Sequence, residues 1–163
     1  MIRETKSLAL HGGKIEFEDL LGDVHRWGVF PANRLPRIRS AEWSKHYANV
    51  LEIFRVLYED LYKYDPMAEK IDGEPPILAF VTENYSEDEL EEIRRLWNEW
   101  RINLEWCAHA VLWDPETKDG FVSDSLLSSV SDKDLLDIVT SSIRYSEKND
   151  LPLKSSASSN AMP

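Results

Sequence analysis

The chain has 163 residues, 42% of them hydrophobic, and a formal net charge of −11. That length supports one domain with its own core and no disulfide staples, and the acidic balance excludes generic coating of DNA or RNA, whose affinity comes from many Lys and Arg neutralising phosphates. No apolar run reaches the roughly 18 residues of a membrane span, the apolar stretch near the start is too short for a secretory signal, and the single cysteine, Cys107, fits a reducing cytoplasm.

In chain order, Leu8 and Leu10 before His11-Gly12-Gly13, and Ile15 and Phe17 after it, alternate as a β-hairpin does. A short strand is expected from Trp27 to Pro31. Pro31 and Pro36 then deny a helix to the arginine-bearing loop between them, with Ser40 as N-cap of the next element. Trp43, Tyr47, Val50, Leu51, Phe54, Leu57, Tyr58 and Leu61 recur at helical spacing and predict an amphipathic helix from Ala41 to Tyr64, ended by Asp65-Pro66. Ile77 to Val81, a short apolar run after Pro75-Pro76, reads as a central strand covered on both faces.

Ser86 and Glu89 match a capping box, and Leu90, Ile93, Trp97 and Trp100 mark a second helix to about Arg101. Leu104 to Trp113 reads as a strand, paired through Asp114-Pro115 and Asp119-Gly120 with Phe121 to Asp124. Ser131 with Asp134 opens a third helix carried by Leu135, Ile138 and Val139. The fold class expected is α+β: one domain over residues 1–154, a mainly antiparallel sheet packed by about three helices, with residues 155–163 as a flexible tail.

No motif has the specificity of a nucleotide loop, a zinc framework or a catalytic triad, and no cofactor or metal is implied. His11-Gly12-Gly13-Lys14 lacks the strand-to-helix setting of a phosphate loop. On a strand, Cys107 and His109 would share a face about 7 Å apart, but no CxxC or HxxxH supplies the other ligands of a zinc site. Asp88 and Glu92 have the i,i+4 spacing of helical metal carboxylates, and equally that of a solvated helix start.

The most distinctive segment runs from Val24 to His46, where Arg26, Arg34, Arg37, Arg39 and Lys45 face a single acid, Glu42. Extended backbone would point Arg37 and Arg39 to one side, ready to grip a carboxylate or phosphate; alternatively they pair with some of the 30 acids of the chain, the outcome the composition favours. The candidate ligand- or partner-binding residues are Arg34, Arg37, Arg39, Trp27 and His25.

In size, charge and absence of motif, the chain is similar to bacterial immunity proteins, which neutralise nuclease toxins by covering a basic active site. That resemblance implies a non-enzymatic, acidic protein-binding domain for a basic partner. The alternative is a small enzyme acting on an anionic molecule held by Arg37 and Arg39, with His25 or His46 as acid–base group.

Overall fold

The computed structural model describes residues 2–9, 12–19 and 21–159, with side-chain surroundings for residues 13–147 apart from Phe17 and Leu20. The elements are strands β1 (Ile2–Ala9), β2 (Gly12–Glu18) and β3 (Val24–Val29), helix α1 (Arg37–Arg55) continued by a π-helical turn (Val56–Leu61), helix α2 (Glu87–Val111), strand β4 (Leu112–Trp113), and helices α3 (Asp124–Leu127) and α4 (Asp132–Ser159). The strands form one antiparallel sheet in the order β1-β2-β3-β4, so the class is α+β. The chain packs as two compact units: Met1–Tyr47 with Leu104–Pro163, and Ala48–Asn103.

In the first unit, β1 and β2 form the expected hairpin, with Ala9 opposite Gly12 and Leu8 opposite Gly13. Leu10 and His11 lie outside the described residues. The glycines therefore belong to β2, and Gly13 has a packing reason: a Cβ there would run into the Tyr145 ring of α4. Trp27 and Val29 of β3, Trp43 of α1, Leu104, Cys107, Ala108 and Val111 of α2, and Leu135, Ile138 and Val139 of α4 are buried here. Ser131 caps α4 through its Oγ, which accepts from the Asp134 N–H at 3.1 Å. The α4 backbone takes in residues 155–159, with no Gly or Pro between Pro152 and Ser159 to end it; Asn160–Pro163 lie outside the described residues.

Three expectations are overturned. Leu104 to Val111 is helix, not strand: Trp100, Leu104, Cys107, Ala108 and Val111 are buried at i, i+4, i+7, i+8 and i+11, and no Gly or Pro after Arg101 stops the helix. Leu112 and Trp113 pair with Val29 and Gly28 of β3, not with Phe121 to Asp124. Ile77 to Val81 is no central strand: Ile77 makes a single bridge to Tyr64, and Phe80 and Val81 are exposed behind the Pro75-Pro76 pair that cannot donate to a ladder.

The second unit is built on Val50, Ile53, Leu57, Tyr62, Tyr85, Ile93, Leu96 and Trp100, all buried. The capping box at the start of α2 is reciprocal: the Glu89 N–H donates to Ser86 Oγ at 3.1 Å, and the Ser86 N–H donates to Glu89 Oε1 at 2.9 Å. Arg55 and Arg95 each hold a Glu three residues before and another four residues after. Lys63 donates to Glu89 at 3.2 Å and to the Asn84 carbonyl at 2.7 Å.

Candidate functional site

Pro36 does not exclude the arginine segment from a helix; it starts one. The Pro36 carbonyl accepts from the Ser40 N–H at 2.8 Å, so its preset φ and missing N–H fall where a helix tolerates both, and α1 begins at Arg37 rather than Ala41. Arg37 and Arg39 are therefore about 200° apart around the helix and cannot share a side. Arg34 ends a 3-10 turn, Ala32–Arg34, closed by its own N–H to the Pro31 carbonyl at 2.9 Å. Asn33 docks that turn on α4, its N–H donating to Ser146 Oγ at 3.1 Å and its Nδ2 to the Ser146 carbonyl at 3.4 Å.

This geometry joins Arg34 and Arg39, without Arg37, in a cleft of about 360 Å³. Phe30, Trp113, Phe121 and His109 supply flat walls, with Asp119 at the edge. The His109 ring stacks on Phe121 at 6.0 Å, and Phe30 lies 6.4 Å from Trp113. Trp113 is held between two glycines: a Cβ at Gly28 or at Gly120, whose φ is +79°, would come within 2.7 Å of its indole. Among the described residues Arg34, Arg37 and Arg39 form no ion pair, against the internal pairing that composition favours. The first turn of α1 carries no acid, and Arg39 lies over the Trp106 ring at 5.8 Å instead of reaching Glu42.

The other sequence candidates sit elsewhere. Trp27 is buried, and His25 donates or accepts through Nε2 at 2.7 Å from the buried Asp19 carboxylate, with its ring 5.3 Å from Trp27. Asp19 also accepts from the N–H groups of Leu21 (2.9 Å) and Asp23 (3.0 Å), closing the β2–β3 turn. The His25 hydrogen bond, helped by those two, holds the Asp19 carboxyl below its ordinary value. His46 stacks on Trp106 at 4.3 Å. On a helix Cys107 and His109 no longer share a face: the Cys107 thiol is buried against the Trp43 carbonyl (3.7 Å), and burial pushes it up to about 12, while His109 faces the cleft.

Sequence reasoning missed a second feature, on the other unit. Leu51 and Phe54 of α1 and Tyr58 of the π-helical turn, counted with the apolar stripe, are only partly covered; Leu51 is 55% and Phe54 43% exposed. With Arg55, Glu59, Tyr64, Glu74, Pro75, Pro76 and Ile77 they line a groove of about 700 Å³. The loop folds back because the Asp65 N–H donates to the Pro76 carbonyl and the Leu78 N–H to that of Lys63, each at 2.8 Å. Tyr58 stacks on Phe54 at 4.4 Å, and its carbonyl accepts from Tyr64 Oη at 2.7 Å. Burial, with Glu74 adding to it, raises the Tyr64 phenol above its ordinary value. The width of the stripe carries a signal: with Ile53 it spans about 160° of the helix, more than one packed face needs.

This unit also holds most of the charge. Residues 48–103 carry 14 Asp and Glu against six Lys and Arg, a net −8 of the −11, leaving −3 for the other unit. Asp65, Glu69, Asp72 and Glu74, all in the loop beside the groove, form no ion pair among the described residues. No group of His, Cys, Asp and Glu among the described residues is arranged to hold a metal ion, and no helix among them is long and apolar enough to cross a membrane. No protein-family model, curated protein or solved structure matches the chain.

Proposed function

We propose that the protein is a non-enzymatic, acidic protein-binding domain of the inhibitor or immunity type, working in the cytoplasm, whose partner presents a basic segment carrying apolar side chains. The observation that carries this reading is the coincidence, within residues 48–103, of the −8 charge with an open groove of Leu51, Phe54, Tyr58, Tyr64, Pro75, Pro76 and Ile77. Exposed aromatics beside uncompensated carboxylates suit a cationic polypeptide: the rings bury apolar surface and accept a cation over their faces, while the charge steers the encounter and rejects acidic competitors. The π-helical turn Val56–Leu61 runs along this groove through Tyr58 and Glu59, and irregular turns of that kind occur frequently at functional sites.

The test is a titration of the isotopically labelled protein with a synthetic peptide of alternating arginine and leucine pairs, followed by amide NMR. Shifts concentrated at Leu51 to Tyr64 and at Glu74 and Ile77, weakened several-fold by Glu74→Lys and by added salt, are expected. Shifts spread over the whole surface, or binding indifferent to Glu74→Lys, contradict the reading.

A further inference from the structure

We infer that the Arg34–Arg39 cleft of the other unit is a binding site for a small aromatic anion, a carboxylate or phosphate carried on a flat ring. Two features define it. Its two guanidinium groups have no carboxylate partner among the described residues of a chain with 30 acids, as holds also for Arg37 and Arg94, but these two share one cleft. Arg34 stands on the turn that Asn33 docks on α4, and Arg39 lies over the face of Trp106, so both reach the cleft with donors unspent on carboxylates.

The second feature is the walls. Phe30, Trp113, Phe121 and His109 present flat faces, and the volume of about 360 Å³ lies in the range of small-molecule sites. Asp119 does not cancel the positive charge of the cleft, because one carboxylate faces two guanidiniums. His109 approaches the exposed Asp124 no closer than 4.0 Å, and its ring, stacked on Phe121, forms part of the wall. A bidentate fork on the anion and ring stacking on the walls are the contacts these groups make. The site requires nothing of the groove on residues 48–103 and stands if the protein-binding reading falls.

The test uses the full chain with phenyl phosphate and benzoate as probes, and inorganic phosphate and benzyl alcohol as controls, followed by calorimetry and the indole resonance of Trp113. Saturable binding of either aryl anion that shifts Trp113, weakened about tenfold or more by Arg34→Gln and by Arg39→Gln, is the expected result. Arg34 is exposed, so Arg34→Gln reads the site without loss of fold, which circular dichroism verifies. Inorganic phosphate binding as tightly as phenyl phosphate overturns the role of the walls, and benzyl alcohol binding as tightly overturns that of the arginines. No saturable binding by either aryl anion, or binding unchanged in Arg34→Gln, overturns the proposal.

Discussion

At the scale of single residues, close packing decides what each position tolerates. Gly13 sits under the ring of the buried Tyr145, which cannot yield as a flexible chain end would. Gly13→Ala is expected to cost about 1–3 kcal/mol, read from urea unfolding as a lower midpoint at unchanged slope; an unchanged midpoint would mean that the ring is not seated there. Cys107 is fully buried with its thiol pushed up to about 12, so iodoacetamide should label the native protein no faster than it unfolds, and prompt labelling would place the thiol at the surface. Asp19 has a carboxyl held low by His25 and two backbone N–H groups. A depressed carboxyl stabilises the fold above its unfolded value and loses that contribution as pH falls through the folded one. Stability should therefore fall with acid below about pH 4, and Asp19→Asn should flatten that limb; an equally steep limb in the variant assigns it to other carboxylates.

At the scale of elements, ends proved harder to read than existence. The Ser86/Glu89 capping box and the Ser131 start of α4 were legible because a few residues suffice to define each, and the structure forms both bonds of the first and the Asp134 N–H to Ser131 Oγ bond of the second. Ser86→Ala should cost about 1 kcal/mol with the loss of the α2 cap, and thermal unfolding unchanged within a degree would show that α2 starts elsewhere. The second half of α2 was misread because a run rich in Leu, Trp and Ala satisfies strand alternation and a helical stripe at once. Only length and the missing stop after Arg101 separate the two. Pro36 misled in the opposite sense, since a proline that ends one helix is welcome at the first turn of another. The arginine segment could thus be found by composition, while its geometry, with Arg37 parted from Arg39 and Arg34 recruited instead, depended on where α1 begins. The groove was beyond local signals because the loop that forms its far wall returns from about twenty residues away along the chain, through Pro76 and Ile77.

At the scale of the whole molecule, the charge is divided unequally: −8 lies on residues 48–103 beside partly exposed aromatics, and the remaining unit, at −3, has the unpaired Arg34 and Arg39 in a cleft. A net charge alone describes a chain that repels anions and attracts cations everywhere. Its distribution is what the two proposals rest on: a cationic partner for the acidic unit and an aromatic anion for the cleft of the other. The first of these is the central claim, and salt is its natural probe, because screening shortens the reach of exposed charges from about 10 Å at 0.1 M to about 3 Å at 1 M. The most direct measurement is retention of proteins from the native cell lysate on the immobilised chain, eluted by a salt gradient and compared with the groove variant Phe54→Arg. A basic protein held at low salt, released as salt rises and lost from the variant is the predicted result; no retained protein, or one held equally by both chains and indifferent to salt, would contradict it.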